Sequence, residues 1–417
     1  MKFLAFENGW TGGQFSLFRF FLGMYLFIHF WDLIPWAPEI FSSEGMLANA
    51  SLSPIIHIFP NIFLMNDTPV FVQSVIISGL IGSMMLACGY KTKIAALWIL
   101  YVLACLFGRN PLIANPALPY VGFMLLCIAF IPKAPYGSVE AKGLSDVGRH
   151  WIMPKDVILA GWLVLALTYS YSGYTKLLSP SWIAGDNINF VLNNPLARDY
   201  FLRDFLLSLP PIFLNLLTWA VLFIELLFAP LSIIPKLRPI LWSLMALIQL
   251  GFALCLNFLD LTAAMIIFHL FTFNPAWIKP KLGVGKMMLY YDGECGFCHA
   301  VIRFLVAEDK KDIISFSSLQ GEHIRTKFSQ NEINSFPDSI VLVTENGGIY
   351  LKSTAIIMML VGMGGFWRSI GNLLQLIPKP LRDIVYTAIG KIRKKIFARP
   401  DSLCPLLSPE LRQKFLD

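Results

Sequence analysis

The sequence predicts a polytopic α-helical membrane domain of about eight spans followed by a small α/β domain. Three observations carry that expectation. The chain of 417 residues is 56% hydrophobic with a mean hydropathy of +0.64, too apolar for a water-soluble fold, and its apolar residues fall in long blocks. Those blocks stop near residue 280, giving way to short runs that alternate in polarity. Just beyond, Tyr290-Tyr-Asp-Gly-Glu-Cys295-Gly-Phe-Cys298-His299 places two cysteines one helical turn apart, between an apolar strand and an apolar-striped helix.

The candidate spans are residues 15–34, 71–88, 94–107, 118–131, 157–175, 211–230, 240–256 and 260–274. Several are shorter than the ~20 residues of a straight span, so their ends must extend into the flanks. Basic residues collect on one side: Lys91 and Lys93, then Lys133, Lys142, Arg149 and Lys155, then Lys236 and Arg238, then Lys279, Lys281 and Lys286. The positive-inside rule puts that side, both termini and the α/β domain in the cytoplasm, as expected for a multi-pass protein of a bacterial inner membrane. The outer loops 35–70 and 176–210 hold Trp, Phe and Pro rather than flexible polar runs, and are expected to fold back as interfacial or re-entrant pieces. The net charge of +7 follows from these loops and the C-terminal stretch, which argues against nucleic acid as a partner.

The domain limits expected are 1–280 for the membrane part and 286–405 for the α/β part, joined by a linker rich in Pro, Gly and Lys. Strands are expected at 287–291 and 313–317, with a helix at about 296–307 between them. Asn346-Gly347 marks a hairpin between 339–344 and 348–351, and a helix starts near Ser353. Residues 379–399 alternate apolar and basic side chains, the pattern of an amphipathic helix on an anionic leaflet.

Of seven cysteines, Cys88, Cys105, Cys127 and Cys255 sit singly in apolar helices and read as packing, and Cys404 lies alone in the tail. Cys295 and Cys298 have the spacing of a redox pair. A helix N-terminus favours the thiolate, so Cys295 there becomes a nucleophile and Cys298, one turn inside, the thiol that resolves a mixed disulfide. Strand, Cys-x-x-Cys, helix is the arrangement of thioredoxin-like proteins, which also calls for a cis-proline beside the dithiol; Pro337 is the nearest candidate. Zinc would require a second ligand pair that the sequence lacks. Cys-Gly-Phe-Cys-His299 also fits c-type haem attachment, a reading that needs the opposite face of the membrane.

Asp292-Gly-Glu-Cys295-Gly-Phe-Cys298 resembles the Asp-x-x-Cys-x-x-Cys signature of the DCC family of thiol-disulfide oxidoreductases. The likeness runs on through Ser318-Leu-Gln320, Ser339-Ile-Val-Leu-Val343, Tyr350, Lys352-Ser-Thr-Ala355, Ile377-Pro-Lys-Pro-Leu-Arg-Asp383 and Cys404. It implies Cys295 as nucleophile and Cys298 as resolving thiol, with a thiol or disulfide substrate, protein or small molecule. Asp292 would order the turn or shuttle a proton.

Within the apolar blocks, Arg19, His29, Glu225, Gln249 and His269 stand out, as does Lys176 at the outer end of the fifth. Counting residues from the outer face puts Glu225 at the depth of Arg19, predicting a pair between them. His29 and Lys176 fall near the outer face with Arg109, Asn110, Asp186 and Asp260, a cluster suited to a binding site. Tyr171-Ser-Gly-Tyr-Thr-Lys176-Leu177 with Trp182 and Gly185 is similar to the signature of the HTTM family, related to vitamin K-dependent γ-carboxylase. Gly108-Arg-Asn-Pro-Leu-Ile113, Phe130-Ile-Pro132 ahead of Ser138, and Glu225 ahead of Arg238 extend that likeness. It implies Lys176 as a catalytic base, while the outer polar cluster makes His29, Arg109 and Asn110 candidates for holding a cofactor. Two departures weigh against glutamate carboxylation: Gln249 stands where a histidine is expected, and no large lumenal region is present in these residues. A quinone or another lipid-soluble partner remains open.

The function expected is therefore thiol-disulfide exchange on a membrane-bound dithiol, coupled to a carboxylase-like membrane domain. The competing expectation is a non-catalytic membrane scaffold, or a maturation or immunity factor for a secreted peptide.

Overall fold

The computed structural model describes residues 9–113, 115–141, 148–279, 285–293, 296–337, 339–396 and 413–416. They form two compact units that are discontinuous in sequence. The first takes Leu17–Lys133 and Met153–Phe273; the second takes residues 9–16, Ala134–Ile152 and the chain from Asn274 onward.

The helical region is built from α1 (Gly12–Leu33), the short α2 (Ala37–Phe41), α3 (Pro69–Cys88), α4 (Thr92–Arg109), α5 (Leu118–Phe130) and α6 (Lys155–Lys176). Then come three short helices, α7 (Pro180–Ala184), α8 (Asn187–Leu192) and α9 (Phe201–Ser208), followed by α10 (Pro211–Leu226), α11 (Phe228–Ser232), α12 (Arg238–Cys255) and α13 (Leu259–Thr272). Each of the eight apolar blocks is helical. Five of these helices are long and apolar enough to cross a membrane, and α9 with α10, bent by 109°, makes a sixth if read as one broken span. At 13 and 14 residues, α5 and α13 are short for a span.

Many large side chains that face outward are apolar, among them Phe20, Ile28, Trp31, Ile81, Leu163 and Leu247. Such a surface is compatible with a hydrocarbon surrounding. The turn between α3 and α4 is tight because Gly89 and Lys91 both adopt positive φ, with Gly89 and Tyr90 donating back to the last carbonyls of α3.

The second unit holds a four-stranded sheet of β1 (Met287–Tyr291), β2 (Ile314–Ser318), β3 (Val341–Thr344) and β4 (Ile349–Leu351), in the order β2-β1-β3-β4. Strand β1 is parallel to β2 and antiparallel to β3, which is antiparallel to β4. Helix α14 (Gly296–Glu308) makes the crossover between the parallel strands. Gly347, at φ 77°, closes the β3–β4 hairpin that Asn346-Gly347 predicts. The short helices α15 (Glu322–Lys327) and α16 (Gln330–Ser335) follow β2, while α17 (Lys352–Met363), α18 (Gly365–Gln375) and α19 (Lys379–Ile396) follow β4. The last described residues add to the free edge of β2, Phe316 donating to Lys414 and accepting from Leu416. No described peptide bond is cis, so Pro337 does not supply a cis-proline.

Glu308, at the end of α14, ties the three stretches of this unit together. Its buried carboxylate accepts from Gly13 N at 3.1 Å, from the Tyr136 hydroxyl and from Trp367 Nε1. Burial, and then the neighbouring carboxylate, push the Tyr136 phenol well above its usual range, so it remains a donor. Glu308→Ala would strand three buried donors. It is expected to lower the stability of this unit by on the order of 3 kcal/mol, measured as earlier exposure of Cys298 to alkylation in urea. Glu308→Gln, which keeps an acceptor, should lose less.

Candidate functional site

Strand β1 is buried along nearly its whole length, since Met287, Leu289, Tyr290 and Tyr291 are all at most 3% exposed. It therefore holds Asp292 and Gly293 at a fixed point, the end of a strand flanked by β2 and β3. Cys298 occupies the first turn of α14 and is 4% exposed. The dipole and unpaired amides of that turn favour negative charge on sulfur. Cys295 lies outside the described residues, one position before the helix begins, and Cys404 also lies outside them.

The turn ahead of the dithiol is held by the chain that leaves β2. Gln320 Nε2 donates to Asp292 Oδ1 at 3.3 Å, and Gly293 N donates back to Gln320 Oε1 at 3.3 Å. Ser318 Oγ donates to the same Oε1 at 2.7 Å and fixes the amide's orientation. Leu319 N donates to Tyr291 O at 2.8 Å, continuing the β1–β2 pairing one step past the strands. Gln320 is a site residue that motif reading did not single out; the signal was its place in Ser318-Leu-Gln320. Next to it, the Tyr290 hydroxyl and His323 Nδ1 lie 3.1 Å apart with their rings stacked, and burial raises the Tyr290 phenol. Gln320→Ala is expected to leave the sheet intact while slowing thiol-disulfide turnover about 5-fold, the cost of losing roughly one net hydrogen bond. Insulin-reduction kinetics alongside circular dichroism would show it.

The helical unit sorts the remaining candidates into separate groups. Arg109 is fully buried, paired with Asp67 at 3.0 Å and donating to Ser42 O at 3.0 Å. Asn110 donates to Ile40 O at 2.9 Å. Both hold the 35–70 loop against the end of α4. His29 pairs with Asp260 at 3.1 Å, and Asn115 donates to the other Asp260 oxygen.

Lys176 takes a different partner from any predicted for it: its Nζ pairs with Glu225 and donates to Ser172 Oγ at 3.0 Å, with the Trp182 ring 4.9 Å away. The Arg19–Glu225 pair does not form, and Arg19 donates to Leu86 O at 2.9 Å. The depth count failed because α10 does not start level with the end of α6. Helices α7 and α8 pack on Asn215, Thr218 and Trp219, in the part of α10 before Glu225. About 14 residues (~21 Å) into α10, Glu225 is therefore only level with the last turn of α6. Gly173 permits the approach: a Cβ there would lie 2.3 Å from Leu226 N.

The pair lines a cavity of about 600 Å³. Tyr120, Tyr169, Gln249, Phe252 and Met265 line it as well. Gln249 Nε2 donates to the Tyr169 hydroxyl at 3.2 Å, and His269 Nε2 lies 3.4 Å beyond that oxygen. Among the described residues no group of three metal-ligating side chains converges.

These observations define a class: a helical region with several long apolar helices compatible with a membrane protein, followed by a mixed α/β domain with a cysteine in the first turn of its crossover helix. Residues 289–399 match the DCC1-like thiol-disulfide oxidoreductase family. Uncharacterized protein YuxK of Bacillus subtilis is 36% identical over 134 residues, which are 32% of this chain and 96% of that protein. A chloroplastic DCC family protein of Arabidopsis thaliana is 27% identical over 122 residues, 28% of this chain and 68% of that protein. No solved structure matches. Through its C-terminal domain the chain belongs to the DCC1-like thiol-disulfide oxidoreductase family.

Proposed function

We propose that this protein is a membrane-bound thiol-disulfide oxidoreductase whose thioredoxin-like domain works through Cys295 and Cys298. The position of Cys298 carries the reading: it is buried in the first turn of the helix that follows β1, and the turn before it is braced by Gln320. Thiolate Cys295 attacks a substrate disulfide, forming a mixed disulfide and expelling one substrate sulfur as thiolate. Thiolate Cys298 then attacks Cys295 Sγ, closing the Cys295–Cys298 disulfide and releasing the second substrate thiol. The substrate gains two electrons and two protons; external thiols, themselves oxidised to a disulfide, return the enzyme to the dithiol. Titration in glutathione buffers with alkylation of the thiols tests this. A reversible two-electron Cys295–Cys298 couple is expected, and its absence at every poise would sink the assignment.

The distribution of Lys and Arg supports placing this domain on the cytoplasmic side of a bacterial inner membrane. Labelling of a cysteine introduced at exposed Asn334 by an impermeant maleimide should then require broken cells.

A second reading, favoured by the cavity around Lys176, is that the helical unit binds a quinone or a similar lipid-soluble molecule as an HTTM-type domain. An amine, a carboxylate and an amide among aromatic walls suit a flat ring bearing carbonyl oxygens. Gln249→Leu should weaken ubiquinone-1 binding about 5-fold by tryptophan quenching, the cost of one lost hydrogen bond.

A further inference from the structure

Helix α19 is docked on its own domain by its polar side. Asp383 Oδ1 accepts from Ser353 Oγ at 2.5 Å, and the Tyr386 hydroxyl accepts from Ile340 N at 3.2 Å. Arg382, Asp383, Tyr386 and Gly390, the half-buried positions, form one strip of the helix. The opposite strip is Leu381, Ile384, Val385, Ala388, Ile389 and Ile392, every one of them exposed and apolar. An amphipathic helix ordinarily buries its apolar face, and this one has turned that face outward. Leu373, near the end of α18, is 61% exposed and Leu376, in the turn before α19, is 80% exposed, which adds apolar surface ahead of the helix.

We infer that this outward face of α19 is a docking surface for an anionic lipid leaflet, which holds the redox domain down on the membrane. Charge selects the occupant. The helix carries Lys379, Arg382, Lys391, Arg393, Lys394 and Lys395 against a single acid, Asp383, which is engaged with Ser353. Apolar side chains entering the acyl boundary between basic residues at headgroup level are the arrangement of an interfacial helix. A second copy of the same helix would bring like charges together, which opposes self-association. The long apolar helices of the same chain keep a bilayer at high effective concentration, so modest affinity suffices. A redox domain held this way reaches membrane-bound substrates by diffusion in two dimensions.

The test uses the full chain in nanodiscs with a fluorescent amino acid in place of Val385, and in a control in place of exposed Asn334. Brominated phosphatidylglycerol is expected to quench the probe at 385 several-fold more than brominated phosphatidylcholine, while leaving 334 unaffected. Ile384→Asp together with Ile389→Asp should remove that quenching without disturbing the circular dichroism spectrum. Equal quenching in both lipids would overturn the anionic preference. Quenching of 385 by aqueous iodide as strong as that of 334 would show the face open to water and overturn the docking. Protection from both quenchers, with crosslinking between copies or within the chain, would assign the face to protein and overturn the lipid.

Discussion

Cys295→Ser is expected to abolish thiol-disulfide exchange, lowering turnover by on the order of 10³-fold or more, because a hydroxyl does not replace a thiolate nucleophile at neutral pH. Cys298→Ser behaves differently. It preserves the first attack and removes the second, so the mixed disulfide with substrate accumulates. Non-reducing gels of cells expressing each variant should show adducts only for Cys298→Ser, all of which collapse on reduction. Equal adduct formation by both variants would contradict the assignment of Cys295 as the attacking sulfur. Adducts on Cys295→Ser alone would reverse the roles. Cys298 is only 4% exposed, which suits a thiol reached only from within the site.

Breaking the Lys176–Glu225 pair is the substitution expected to damage the helical unit most. Glu225 is 4% exposed and Lys176 18% exposed, so the carboxylate has almost no water to replace its partner and the amine little. Removing one partner from such a pair costs about 3–5 kcal/mol, since the survivor stays buried and uncompensated. Lys176→Met and Glu225→Met are each expected to lower the thermal midpoint in detergent strongly. The double variant should recover much of the loss, because two apolar side chains of similar volume replace the charges. If the double variant were as unstable as the sum of the singles, the pair would not be an energetic unit. Ligand binding and stability separate here. Should the double variant fold well yet lose ubiquinone-1 binding, the pair's role lies in the cavity.

Much of the α/β domain was legible from local signals. Strand β1 announced itself as a short apolar run, Asn346-Gly347 fixed the hairpin, and the crossover helix began at Gly296 beside the dithiol. Helices α15, α16 and α18 were less visible; the first two are six residues each, too short to show a period. The eight apolar blocks were equally clear as helices, because each run is continuous and bounded by turn residues. Depth within the helical unit was not legible. Residue counting assumes that neighbouring helices begin at one plane, and the packed segment 177–210 breaks that assumption for α10.

The sequence by itself determined the composition of the two parts, the positions of their helices and strands, and the Cys295-Gly-Phe-Cys298 spacing beside the crossover helix. These follow from hydrophobic runs, turn residues and spacing, all of which act over a few neighbouring positions. Tertiary structure alone decided which distant groups meet. It gave Glu225 to Lys176 rather than to Arg19, set Gln320 against Asp292 and Gly293, and gathered three donors from separate stretches on Glu308. It also turned the polar side of α19 inward and its apolar side out. Such choices depend on burying charge beside charge and donor beside acceptor across long loops, an energy that no local pattern in the chain records.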